Sequence, residues 1–111
     1  MTATPAQPGV IPYVDAHDGP RRLMTIALTS GNAGASRHVP VVGIDGRRYV
    51  VVWGVVTFEV PADRNVHVSV HIEADYLTQA CSLLLPPGDR PVSLRYETHY
   101  TSGRGSLTPQ T

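Results

Sequence analysis

The stretch from Val66 to Glu73, VHVSVHIE, decides the fold. Its apolar residues stand at every second position, and His67, Ser69, His71 and Glu73 alternate with them. A period of two places successive side chains on opposite faces, as in a β-strand with one buried face. We therefore expect a strand whose apolar side chains face a core and whose polar side chains face away.

Similar strand-like segments lie on both sides of this stretch. They are Leu23–Leu28, Val39–Ile44, Tyr49–Trp53, Val55–Val60, Ala80–Leu85 and Val92–Tyr100. Tyr49–Trp53 is apolar throughout, which is typical of a strand covered on both faces. Turn signals such as Asp45-Gly46 and Pro86-Pro87-Gly88 separate the segments. About seven short strands without a helical pattern predict an all-β, immunoglobulin-like antiparallel β-sandwich, with a small β-barrel as the alternative.

The two ends of the chain differ from its middle in composition. Residues 1–20 contain four proline and two glycine residues and are predicted to form a flexible lead-in. Residues 102–111 are rich in glycine, serine and threonine and are predicted to form a flexible tail. The folded β-sandwich domain is therefore expected to span residues 21–101.

Charge and cysteine content narrow the expected partners and location. Nine arginine residues balance nine acidic residues, so nothing favours nucleic acid as a partner. No apolar run approaches the roughly 20 residues of a membrane helix, so no membrane insertion is expected. Cys81 is the only cysteine, which excludes an intrachain disulfide, and we expect it to be a small core residue. Without a basic and apolar signal segment at the N-terminus, the expected location is cytoplasmic.

Four segments carry a resemblance to a known kind of domain: GIDGRRYVVVWG (43–54), VTFEVPADRNVHVSVHIE (56–73), LLLPPGD (83–89) and VSLRYETHYTSGRGSL (92–107). Together they resemble a small β-sandwich module of uncharacterised actinobacterial proteins, itself similar to PEGA-type domains. The chain departs from that pattern at residues 62–65, where glycine is common. The resemblance implies a non-catalytic accessory or interaction domain and supplies no catalytic residues.

The polar face of the central strand offers the candidate site residues. His67 and His71 are about 13 Å apart at the rise of a strand, too far to share one metal ion. Ser69, His71 and Asp75 are residue types of a catalytic triad, but the sequence lacks the nucleophile elbow that would position such a serine. We therefore expect no enzyme activity. We also expect no bound metal or cofactor. His67, Ser69, His71 and, from another strand, His99 are the tentative ligand or partner surface.

The aromatic residues Tyr49 and Trp53 share one face of their strand. We expect them in the core; if they were exposed, they would favour a carbohydrate or peptide platform.

Two functions follow from the sequence. The first is an interaction domain that binds a protein partner or self-associates through exposed strand edges. The alternative is a small-ligand binder, for a carbohydrate or metabolite, that uses His67, His71 and His99.

Overall fold

The computed structural model describes residues 9–30, 37–74, 77–99 and 102–110. Nine strands lie within these ranges. They are β1 (Val10–Ile11), β2 (Arg21–Thr29), β3 (Val39–Ile44), β4 (Arg47–Val50), β5 (Gly54–Pro61), β6 (Val66–Glu73), β7 (Leu77–Leu85), β8 (Val92–Thr98) and β9 (Gly105–Gln110). No helix within the described ranges is long and apolar enough to span a membrane.

The strands form two separate sheets. One sheet has five strands in the order β1-β5-β2-β8-β9, and the other has four in the order β4-β3-β6-β7. Because the two sheets pack face to face around one apolar cluster, the β-sandwich is confirmed and the closed barrel is wrong. In the five-stranded sheet β2 runs parallel to β8, and β1 runs parallel to β5, so this sheet is mixed rather than purely antiparallel.

Strand β6 behaves as its sequence pattern predicts. Its apolar side chains are fully buried between the sheets, and its polar side chains lie on the outer face of the four-stranded sheet. The opposite wall of the core comes from alternate residues of the five-stranded sheet, chiefly Met24, Ile26, Leu28, Phe58, Val60, Leu94 and Tyr96. Alternation at period two therefore directs every second side chain of these strands into the core.

The aromatic residues of the third predicted strand pack against this core. The ring of Tyr49 contacts Phe58 edge to face with centroids 5.4 Å apart, and Trp53 stacks on Tyr96 at 6.4 Å. Cys81 also packs against the apolar cluster. The prediction that these residues belong to the core is confirmed, and an exposed aromatic platform is not formed by Tyr49 and Trp53.

Two backbone positions shape the chain around β4. Asp45 and Gly46 both have positive φ, 49° and 88°, as a type I′ turn requires, and they join β3 to β4 as a tight hairpin. Gly54, with φ of 120°, stands where the chain leaves the four-stranded sheet and enters β5 of the other sheet. A side chain other than hydrogen would be strained at Gly54.

The predicted boundaries of the folded domain need correction at both ends. In the lead-in, β1 pairs with β5, and the Tyr13 side chain is only 6% exposed. In the tail, β9 pairs with β8 along its whole length and buries Leu107. Composition did not reveal these segments because their burial depends on distant strands. Residues 1–8 of the lead-in and residue 111 of the tail lie outside the described residues.

Candidate interaction surface

The outer face of the four-stranded sheet carries three of the four predicted site residues. His67 is exposed, and its backbone is fixed by the hairpin turn: its N–H donates to Asp45 Oδ1 at 2.9 Å, and its carbonyl accepts the Asp45 N–H at 2.9 Å. Ser69 lies opposite Gly43 of β3, where any larger residue would meet the serine hydroxyl. His71 is the third residue of this row, two positions further along β6.

His71 takes part in a polar cluster on this face. Its Nε2 lies 3.1 Å from Glu73 Oε2, and the same carboxylate forms an ion pair with Arg48 of β4. Burial, and then the positive charge of Arg48, hold the pKa of His71 below 6.5. Val41 lies between Arg48 and Glu73 on the sheet and is fully buried, because the ion pair passes over it. The cluster therefore covers the middle of the outer face.

His99 lies elsewhere in the sandwich. It follows β8 of the five-stranded sheet, and its Nε2 is 3.0 Å from Ser106 Oγ on the exposed side of that sheet. The outer faces of the two sheets point in opposite directions, so His99 cannot converge with His67 and His71. The predicted three-histidine face is therefore wrong; a period of two assigns faces within a strand and does not say which sheet the strand joins.

Gln79 is a structural residue that the sequence analysis did not identify. It has a φ of 55° and lies in a bulge of β7 opposite β6. Its Oε1 accepts the His99 N–H at 2.7 Å, and its Nε2 donates to the His99 carbonyl at 3.1 Å. Tyr96 donates its hydroxyl proton to the Gln79 carbonyl at 2.6 Å. These bonds join the two sheets, and no sequence pattern marks a glutamine for that role.

Cys81 and Asp75 are the other residues with reactive side chains that the sequence singles out. Burial raises the pKa of the Cys81 thiol to about 11, and its sulfur points to the Val70 carbonyl at 3.9 Å. A thiol in that state is a poor nucleophile at neutral pH. Asp75, the third residue type of the considered triad, lies outside the described residues. Within the described ranges no three histidine, cysteine or acidic side chains are placed to bind one metal ion.

The lead-in is held against the sandwich by a buried tyrosine. The Tyr13 hydroxyl donates to Asp45 Oδ2 at 2.8 Å and accepts a hydrogen bond from the Arg64 guanidinium at 2.6 Å. The guanidinium carbons of Arg21 and Arg64 lie 5.8 and 5.7 Å from the centre of its ring, within the range of cation–π attraction. Because Asp45 also fixes His67, one carboxylate links the lead-in, the hairpin turn and β6.

An open cleft of about 620 Å³ lies between the lead-in and the β3–β4 hairpin. Its lining consists of Tyr13, Asp15, Asp45, Gly46, Arg47 and Arg48. Arg47 donates to Asp15 at 2.8 Å, and this hydrogen bond lowers the pKa of that carboxyl. Because Arg48 is paired with Glu73, both cations of the cleft already have an acidic partner within the chain.

Strand β4 forms one edge of its sheet and pairs with β3 alone. Val51 donates its N–H to the Pro40 carbonyl at 3.1 Å, so these two residues form a hydrogen-bonded pair. In an antiparallel ladder such pairs alternate with pairs that exchange no bonds. The backbone N–H and C=O groups of Arg48, Val50 and Val52 therefore point away from β3, and none of them bonds to another described residue.

Comparison of the chain with models of known protein families, with curated proteins and with solved structures found no match.

Three exposed valine side chains lie on the outer face of the sheet beside this free edge. Val50 and Val52 are 67% and 80% exposed, and Val39, which lies opposite Val52 when the β3–β4 register is continued, is 47% exposed. We call Val39, Val50 and Val52 the valine patch. The apolar run Tyr49–Trp53 had predicted a strand covered on both faces, and this prediction is wrong. Its odd-numbered side chains face the core, and its even-numbered ones face solvent.

Proposed function

We propose that this protein is a non-catalytic β-sandwich interaction domain that contacts another polypeptide chain through the β4 edge and the valine patch. The observation that carries the proposal is an edge strand that keeps its backbone groups free beside three exposed valines. An edge of this kind can accept a further strand, whose main chain supplies the hydrogen bonds and whose side chains meet the patch.

The character of the edge supports this function. Protein edges are normally protected by charges, proline or bulges at the exposed positions. From Tyr49 to Trp53 the chain has none of these, and its residues are β-branched or aromatic. The Arg48 side chain at the start of the edge is drawn back across the sheet toward Glu73. The edge therefore remains accessible from Val50 onward.

The geometry gives less support to a small-ligand site. Of the histidines predicted to form it, His67 and His71 lie on the outer face of the four-stranded sheet, and His99 lies on the outer face of the five-stranded sheet. The cleft beside the hairpin is open, and both of its arginine side chains are already paired with acidic residues of the same chain. No particular observation favours this second function.

Site-specific photo-crosslinking tests the proposed surface. A photoreactive amino acid is placed at Val52, and in a control protein at Val14, which is also largely exposed but lies in the lead-in. After irradiation in the source cells, we expect the Val52 position to yield adducts with polypeptide that the Val14 position does not yield. Identical adduct patterns, or none from the Val52 position, would contradict the proposal.

A further inference from the structure

We infer that the chain occupying the β4 edge is a second copy of this protein, which adds its own β4 antiparallel to the first and joins two four-stranded sheets into one. The inference rests on the proposed function and names the partner of that surface. It depends on the register that the free backbone groups permit, on the side chains which that register brings together, and on charge.

The free groups of the edge allow a self-complementary register. In an antiparallel pair the bonded residues must both direct their N–H and C=O groups toward the partner. At this edge those residues are Arg48, Val50 and Val52. When Val50 lies opposite Val50 of the second copy, Arg48 lies opposite Val52 of that copy, and every free group finds a partner. The arrangement is symmetric about a two-fold axis, as an isologous contact requires.

This register also brings the valine patches together. Opposite residues of an antiparallel pair share one face of the sheet. Val50 of each copy would therefore contact the other directly on the outer face, and each Val52 would pack beside the aliphatic part of the opposite Arg48. The inner-facing side chains Tyr49 and Val51 would stay in their own cores. Two patches exposed in the single chain become one shared apolar strip.

Charge does not oppose the association. Arg47 and Arg48, the cations nearest the edge, are paired with Asp15 and Glu73 of their own chain. The whole chain has a formal net charge of zero at pH 7, so two copies do not repel each other at long range. A partner of strongly acidic or basic character would find no matching unpaired charge at this edge. A second copy matches both its neutrality and its pattern of free groups.

Charge-pair variants at Val50 test the inference. Sedimentation velocity of the full chain over a range of concentrations should show a monomer–dimer equilibrium. Val50→Lys and Val50→Glu each place like charges opposite one another at the two-fold axis, and each should weaken self-association at least about tenfold. Mixed in equal amounts, the two variants should associate again, because opposite charges now meet. Circular dichroism verifies that each variant is folded.

Matched substitutions at Val14, Val14→Lys and Val14→Glu, serve as controls and should leave self-association unchanged. A wild-type chain that stays monomeric at all concentrations would overturn the inference, as would charge variants that fail to associate when mixed. If the Val52 crosslinks then still join other polypeptides, only the second copy is refuted as the occupant. If those adducts are absent too, the proposed function fails with it.

Discussion

At the scale of single residues, Tyr13 shows how a polar side chain fixes a segment that composition marks as loose. Its hydroxyl donates to Asp45 and accepts from Arg64, and the guanidinium groups of Arg21 and Arg64 both lie within cation–π distance of its ring. Asp45 and Arg64, the hydrogen-bond partners of the hydroxyl, are 32 and 51 residues away in sequence. A tyrosine in a proline-rich segment therefore gives no local sign of its burial, and its role could not be predicted from the sequence.

The Tyr13 hydroxyl should contribute measurably to stability. Tyr13→Phe leaves Asp45 Oδ2 and the Arg64 guanidinium without that partner, and we expect a loss of about 1–2 kcal/mol in the free energy of unfolding. Urea denaturation measures it. Tyr49→Phe is the control, since the Tyr49 hydroxyl makes no hydrogen bond to a described residue, and it should change stability by less than about 0.5 kcal/mol. Equal effects of the two substitutions would contradict the role given to the Tyr13 hydroxyl.

His71 should titrate below the value of a free histidine. Burial and Arg48 lower its pKa from 6.5, whereas Glu73, already paired with Arg48, does not reverse the shift. The unfolded chain then binds the proton more readily than the folded chain. The contribution of neutral His71 to stability is present above about pH 6.5 and is lost as pH falls through the lowered pKa.

An NMR titration of the histidine ring protons measures this pKa directly, with His71→Gln used to assign the resonance. The expected midpoint for His71 lies below 6.5. The same substitution should make the free energy of unfolding less dependent on pH below that value. A midpoint above 6.5 would show that the Glu73 carboxylate outweighs burial.

At the scale of elements, the strands that sequence predicted best are those whose pattern is complete within the strand. Val66–Glu73 alternates without interruption and is a strand with those bounds. The hairpin at Asp45-Gly46 was predicted correctly, because its turn residues accept positive φ. Strand β9 has one large apolar residue among glycine, serine, threonine and proline, so it shows no period, and it is a strand because β8 supplies the pairing partner.

Strand β9 should be needed for the stability of the domain. Leu107 lies opposite Tyr96 and is only 9% exposed. Leu107→Ala should lower the free energy of unfolding by about 2–4 kcal/mol, because it removes buried methyl groups and leaves a cavity. Thr108→Ala, on the exposed side of the same strand, is the control and should cost less than about 1 kcal/mol. Thermal or chemical denaturation that finds no difference between the two would show that residues 105–110 behave as a tail after all.

At the scale of the whole molecule, two sheets could be predicted, but their strand order could not. Alternation reveals which side chains are buried; it says nothing about the neighbour that a strand selects. The parallel pairing of β2 with β8, and the position of His99 on the opposite side from His67, both follow from strand order. Because of this strand order, His99 lies on a different sheet from His67 and His71.

The β4 edge beside the valine patch shows the same limit, because its sequence does not reveal its position in the sheet. Tyr49–Trp53 has the composition of a central strand, yet the fold places it at the rim of a four-stranded sheet. There the even-numbered valines have no cover among the described residues. A sequence typical of a covered strand at an uncovered position is the reason for proposing this edge as the interaction surface.

Amide hydrogen exchange, followed by NMR at several protein concentrations, can show whether the β4 edge is open in the single chain and pairs with a second copy. In dilute solution we expect slow exchange for the Tyr49 and Val51 N–H groups, which face β3, and fast exchange for those of Val50 and Val52, which face outward. As concentration rises, the Val50 and Val52 amides should become protected. Protection of these two amides that is already complete in dilute solution, or exchange that stays fast at every concentration, would contradict an open edge that pairs with a second copy.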